Sequence, residues 1–421
     1  MDISKRIAWS DWNMLIFITL IYFFANMQKV LVPGATFDEI QQLFDVDASA
    51  VSNTGAIFLC VYAISQLAVG VMADRFGGAK VIVWGGLIFC IGSVLSGVPG
   101  SFMLLCVSRF LTGLGAAAIY LSMIKEIARI SGSALPLFLG IAMIVGYSGA
   151  IAGASPFIAG VKHLGYSKMM LITGGVTAAV YAGFLLSALK NQFPAVRKEV
   201  TFSISSYLNV FKRRHNIALL AVCGLNFGVY FALQSIIGKK FLQDFCSMSE
   251  TASGAVLTVT MLIAAFNGFI LANLSRWAGN RRKIFLQCGS LECLVGAGLI
   301  VGALIFDIRQ PVLAVTGMIL LAFGGNVTPI FVSLVKETNE ENRFGTVLCV
   351  GNFFSYSVTA GFGCVLGKLM DIYPPQKIDG ISVYSRNSYL LVFAVLIPLL
   401  AISMFCALKL RESYGKDIDV R

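Results

Sequence analysis

Three polar residues, Tyr22, Asn26 and Lys29, interrupt an apolar run near the start of the chain at spacings i, i+4 and i+7. In a helix that spacing puts them on one face. Such a stripe would be costly against lipid, so it is expected to look into water or protein. Lys29 is the sharpest of the three, a cation four residues before Pro33. Its chemistry would be recognition of a carboxylate or phosphate. The plainer reading is a long side chain that snorkels toward the membrane surface. A second stripe, Asn226, Tyr230 and Gln234, falls at i, i+4 and i+8. These side chains could hydrogen-bond a substrate or simply tie helices together. Asn326 and the i, i+4 pair Asn352 and Tyr356 add further polar positions, with Phe353 and Phe354 as a candidate aromatic wall.

Two charges lie deep in apolar segments. Arg109 could bond backbone carbonyls or contact substrate, and an unpaired guanidinium at that depth would be costly. Glu292 is the deep carboxylate and the candidate for a coupling proton. Asp38 and Glu39 read as solvated loop charges. His163 and His215 lie in different loops, and neither a phosphate-binding G-x4-G-K-[ST] motif nor a G-x-S-x-G nucleophile turn occurs. No metal, no cofactor and no enzymatic activity are expected.

The elements that must position these residues are membrane helices. Hydrophobic residues make up 57% of the 421, charged residues 13%, and the mean hydropathy is +0.82. A crossing needs roughly 20 apolar residues, and in lipid only a helix satisfies the backbone within one segment. Twelve runs qualify, near 12–33, 49–72, 80–97, 101–123, 135–160, 167–188, 216–237, 252–275, 284–305, 311–334, 345–367 and 388–409. The expected fold is an all-α, multi-pass membrane protein. The hydrophilic stretch 190–215 divides it into an N-terminal six-helix bundle, 1–189, a cytoplasmic linker, and a C-terminal six-helix bundle, 216–421. Lys and Arg concentrate in the segments on the side of the N-terminus, so both termini are expected in the cytoplasm. The net charge of +11 is then a topology signal and not a nucleic-acid patch. Lys5 and Arg6 precede a retained first helix, and of ten cysteines only Cys246 falls in an external loop, so no disulfide framework is expected.

The turn after the second apolar run reads Gly70-Val-Met-Ala-Asp74-Arg75-Phe-Gly77-Gly78-Ala-Lys80, or G-x3-D-R-x-G-x-x-K. It resembles the loop signature of the major facilitator superfamily, and the resemblance runs over the whole chain. Arg109-Phe-Leu-Thr-Gly113 is similar to that family's R-x-x-x-G motif in helix 4. The resemblance implies a secondary carrier that works by alternating access. Substrate would bind near the midplane between the halves, in a cavity lined by helices 1, 4, 7 and 10. Gly70, Asp74, Arg75, Gly77 and Lys80 would form a conformational latch. An echo of the loop, Ser275 to Lys283, has Ser275 where the first copy has Asp74, which predicts a stronger charge lock in the first half. The Gly/Pro spacing from Gly146 to Gly160 partly resembles an antiporter motif and equally fits a bent, closely packed helix.

The segments from Tyr22 to Phe44 and from Leu233 to Leu242 resemble a bacterial branch of amino-acid and organic-anion carriers. The expectation is a monomeric carrier in a bacterial inner membrane, moving a small anionic or zwitterionic metabolite, with a proton as a candidate coupling ion. Substrate would contact Tyr22, Asn26, Lys29, Arg109, Asn226, Tyr230, Gln234, Asn326, Asn352 and Tyr356. The competing readings are an exporter of hydrophobic drugs, which would predict a greasy cavity with a buried carboxylate instead of Lys29, and a non-transporting membrane receptor of the same fold.

Overall fold

A computed structural model describes residues 9–98, 100–131, 135–190, 204–378 and 380–416. Residues 191–203 of the predicted linker, including Pro194, Arg197 and Lys198, and the N-terminal Lys5 and Arg6 lie outside the described residues. Twelve helical spans are long and apolar enough to cross a membrane. They are α1 Asp11–Ala35, α2 Ala48–Ala73, α3 Gly78–Leu95, α4 Phe102–Ile130, α5 Phe138–Leu164, α6 Tyr166–Leu189, α7 Arg214–Asp244, α8 Glu250–Trp277, α9 Lys283–Ile305, α10 Pro311–Thr338, α11 Arg343–Asp371 and α12 Arg386–Lys409. Large apolar side chains such as Trp84, Ile144, Phe269 and Val312 are mostly exposed. Apolar surface on this scale fits a bilayer and not water.

The chain folds as two compact units, one of Met1–Leu31 and Ile57–Phe202, the other of Val32–Ala56 and Ser203–Arg421. Each repeats one packing scheme. In the first, the main pairs are α3 with α4, α1 with α5, α3 with α6 and α1 with α6. In the second they are α9 with α10, α7 with α11, α9 with α12 and α7 with α12, the same scheme displaced by six helices. Without a hydrophobic drive between helices in lipid, close approach depends on small residues. Gly296 and Gly317 face one another across α9 and α10, where a Cβ on either would meet the other's carbonyl oxygen. The run from Gly146 to Gly153, readable as an antiporter motif, packs against Tyr22, Phe23, Met27 and Val30 of α1. Tight turns need glycine too: Gly77 starts α3 at φ 88°, a conformation that other residues rarely adopt.

Among the described residues four spans are interrupted, each beside a proline or a wide turn, and α5 breaks at Gly153–Ala154 just before Pro156. Helical geometry in α1 fails at Val32 (φ −121°, ψ 117°), as expected for a residue forced extended by Pro33. The chain then resumes as a short helix, Phe37–Phe44. Span α7, the counterpart of α1 in the repeat, loosens over Leu233–Ile237 before closing with Gly238–Asp244. Span α10 breaks between Gly325 and Thr328, and Pro329 opens its second half.

Candidate functional site

In the first unit the predicted stripe on α1 holds together. The Lys29 ammonium is 5% exposed and donates to Asn26 Oδ1 at 3.3 Å and to the Tyr62 hydroxyl at 3.2 Å. Its Nζ also sits 4.4 Å from the centre of the Tyr62 ring, a cation–π contact. Tyr62, from α2, is stacked on Phe58 and buried. The Asn26 amide donates to the Tyr22 carbonyl at 3.0 Å, and the Tyr22 ring stacks on Tyr120 of α4 with centroids 5.6 Å apart. An ammonium is thus held at a fixed point by an amide oxygen, a phenol and an aromatic face. That arrangement suits an incoming carboxylate, because the cation is preorganised and its desolvation is already met by the fold.

Arg109 sits elsewhere in the same unit. It is fully buried, donates from Nη1 to the Gln28 backbone oxygen at 3.1 Å, and lies 4.3 Å above the Phe58 ring. Its bonds go to the backbone of α1 one residue before Lys29. That contact braces the helix that carries the ammonium.

In the second unit the α7 stripe is largely spent on packing. Asn226 donates to Ser290 of α9 at 3.0 Å and accepts from Ser403 of α12 at 2.7 Å, while the two serines lie 3.2 Å apart. Gln234 donates to the Leu257 carbonyl at 3.1 Å and accepts from Thr260 at 2.7 Å. The Tyr230 hydroxyl points at the Met261 sulfur at 3.5 Å. Asn326 donates to the Ala264 carbonyl at the break in α10, and Asn267 donates to Phe323 and Asn326 carbonyls there. Asn267 thereby satisfies carbonyls that the break releases, while Asn326 ties the break to α8. Asn352 is half-buried, and Tyr356 meets Phe227 and Phe231 edge-on at 5.4 and 6.0 Å. The aromatic wall is therefore built by Phe227 and Phe231, while Phe354 packs over Gly224. Glu292 is half-buried on α9 and forms no ion pair among the described residues.

At the latch loop, the side chain of Asp74 lies outside the described residues. Arg75 is exposed against the Phe76 ring, Lys80 is exposed, and Gly70 is half-buried beside Leu121. The carboxylate seen working there is Glu126 of α4, which accepts the Ala79 N–H at 2.8 Å and pairs with Arg129 at 2.8 Å. Arg129 reaches Asp11 at 3.6 Å. A carboxylate on the open N–H groups of a helix start is favourable. The echo loop does not want for carboxylates. Glu412 accepts from the Arg282 and Lys283 N–H groups at 2.6 and 3.0 Å, Glu337 pairs with Arg282 at 2.9 Å, and Ser275 accepts from Arg282 at 2.8 Å. Ser275, which stands where the first copy has Asp74, is thus joined in this loop by two carboxylates from distant parts of the chain.

Asp38 and Glu39 also depart from expectation. Asp38 is buried against Lys240 at 2.7 Å, and Glu39 is half-buried, 3.6 Å from Lys239. Both lysines were passed over in the sequence. The available signal was an acidic dipeptide after α1 and a basic one at the corresponding end of α7.

Residues 15–364 match the family model described as Major Facilitator Superfamily. A probable 4-methylmuconolactone transporter of Cupriavidus pinatubonensis is 24% identical over 366 residues, 81% of this chain and 78% of that protein. Human monocarboxylate transporter 2 is 29% identical over 189 residues, 44% of this chain and 39% of that protein. The crystal structure of a bacterial homologue of the lysosomal transporter Spinster superposes with a TM-score of 0.69 at 13% identity, covering 94% of this chain and 97% of that one. With its twelve spans and its repeated packing, the chain belongs to the major facilitator superfamily and is a multi-pass membrane transporter.

Proposed function

We propose that the chain is a carrier for small organic anions or zwitterions, monocarboxylates and amino acids first, working by alternating access in a bacterial inner membrane with both termini cytoplasmic. Lys29 carries the reading. A buried ammonium that is preorganised by Asn26 and Tyr62 has the charge and geometry to hold a substrate carboxylate. Arg109 fixes the height of α1. Tyr22 and Tyr120 offer an aromatic surface to the rest of the substrate. In the second unit, Phe227, Phe231, Tyr230, Asn352 and Tyr356 remain candidates for contacts to the organic part, while Asn226, Gln234 and Asn326 act mainly in packing. The loop residues Gly70 to Lys80, with Glu126, form the latch of the first half. Two relatives bear names of organic-acid carriers, which points the same way.

The test is uptake into proteoliposomes. Labelled short monocarboxylates and amino acids are presented under a pH gradient and without one. The expected result is saturable uptake of a carboxylate, lost in Lys29→Ala while that variant remains folded. Transport of hydrophobic cations alone, unchanged by Lys29→Ala, would replace this reading with drug export.

A further inference from the structure

We propose that the ionic cluster where the segment 36–44 docks on α7 is a proton-operated latch, in which Glu39 holds a proton while the segment is docked and gives it to water when the segment parts. The argument begins with the short helix Phe37–Phe44. Phe37, Ile40 and Gln41 form its buried face at i, i+3 and i+4, while Leu43 is exposed. The two acids of its first turn are thereby carried against Lys239 and Lys240, each only 1% exposed.

The charges do not balance. Lys240 pairs with Asp38 at 2.7 Å and with Asp244 at 2.9 Å. Lys239 pairs with Glu250 of α8 at 2.8 Å, donates to the Ala35 carbonyl at 2.9 Å, and stands 3.6 Å from Glu39. Four carboxylates therefore share two ammoniums. Asp244 has two further donors, the Tyr384 N–H at 2.9 Å and the Tyr389 hydroxyl at 2.7 Å. Asp371 of α11 is held by the Ala48 and Ser49 N–H groups and by the Tyr384 hydroxyl, which itself accepts from Gln41. Glu39 has the longest ion pair of the set, and its Oε2 is buried without a hydrogen-bond partner. The surplus negative charge falls there.

Burial raises the Glu39 carboxyl from 4.5 to about 7, with Lys239 opposing and Glu250 and Asp38 adding to the rise. An undocked segment would return it to the ordinary range near 4.3. Between those values the docked state binds more protons than the undocked one, so acid favours docking and rising pH opposes it. Across the window the docked-to-undocked ratio is expected to fall on the order of a hundredfold. The place of this latch in a transport cycle rests on the alternating-access reading above, but docking itself is measurable without transport.

The experiment is hydrogen–deuterium exchange of the full-length protein in nanodiscs from pH 5 to 8, corrected for intrinsic exchange and read on the amides of residues 36–47. Protection in the wild type is expected to fall on the order of a hundredfold as pH rises through about 7. In Glu39→Gln it stays high at pH 8. In Glu250→Gln, Glu39 is the one carboxylate left on Lys239 and the transition moves to lower pH. A flat wild-type profile, an unchanged pH dependence in Glu39→Gln, or an unmoved midpoint in Glu250→Gln would each overturn the latch. If carboxylate uptake persists while the exchange profile is flat, the latch alone falls. If exchange behaves as expected while no carboxylate is carried, the latch stands and the substrate reading falls.

Discussion

Lys29→Met separates a substrate-binding lysine from a structural one, because the two roles predict opposite signs. Methionine keeps most of the apolar stem, so packing along α1 is largely preserved. The substitution removes bonds to Asn26 and Tyr62 at 3.3 and 3.2 Å, both longer than the usual N–H···O distance. Against their loss, about 1.5 kcal/mol each for long bonds from a charged donor, and that of the cation–π contact with Tyr62, stands the several kcal/mol that a buried ammonium costs in desolvation. Unliganded stability is therefore expected to hold or rise, with the melting temperature changing by no more than about 2 °C. Binding of an anion behaves differently. Truncating one side of a buried charge pair costs about 2–5 kcal/mol, and 2.7 kcal/mol is about a hundredfold in Kd. At ligand equal to about 100 times the wild-type Kd, mass action stabilises the wild type by about 2.7 kcal/mol. The variant, with Kd about a hundredfold weaker, gains only about 0.4 kcal/mol at that concentration. The assay is thermal unfolding in detergent with and without the best carboxylate found in the uptake screen. A large fall in unliganded melting temperature with the ligand shift intact would refute the assignment and make Lys29 a structural residue.

Asn226→Leu strips the central member from the Ser290–Ser403 network and leaves two buried hydroxyls to each other, so stability is expected to drop by about 1–3 kcal/mol. Thermal unfolding beside transport KM reads it, and a loss of substrate affinity without loss of stability would return Asn226 to the substrate site. At Gly34, an alanine Cβ would come within 2.8 Å of the Ser235 backbone. Gly34→Ala is expected to push residues 32–44 off α7, seen as faster amide exchange in that segment, and unchanged exchange would show that the contact can yield. Glu412→Gln replaces the anion that caps the start of α9 with a neutral amide, and about 1 kcal/mol of stability is expected to go. A melting temperature indifferent to Glu412→Gln, yet lowered by Glu337→Gln, would assign the second lock to Glu337 alone.

What was legible in the sequence is what depends on one segment at a time. Apolar runs mark the spans because a lipid-exposed backbone has no alternative to the helix. The same logic isolates Lys29, since a cation among apolar residues is conspicuous whatever surrounds it. What lies across from a stripe is not in the stripe's own periodicity. Asn226 and Lys29 look equally functional as members of one-face polar stripes, but Ser290 and Ser403 occupy the first, while a phenol and an amide hold the second in place. Hydropathy also stops a helix at its first charges. Spans α4 and α7 run on beyond positions 123 and 237, where the apolar signal ends, and those extra turns carry Glu126, Lys239 and Lys240.

The buried charges show why this blind spot matters. A loop acid is solvated by default, and only the docking of Phe37 and Ile40 buries Asp38 and half-buries Glu39. That docking needs α1 to break at Val32, as Pro33 requires, and α7 to loosen over Leu233–Ile237, where Gly34 can lie against Ser235. The two interruptions occur in spans that the internal repeat makes equivalent. An acidic pair follows one and a basic pair follows the other, so a break that looks like a defect in each helix becomes, in the fold, the place where opposite charges meet. Reading the repeat as a pairing rule, with charge sign compared between equivalent helix ends, would have found this cluster from the sequence.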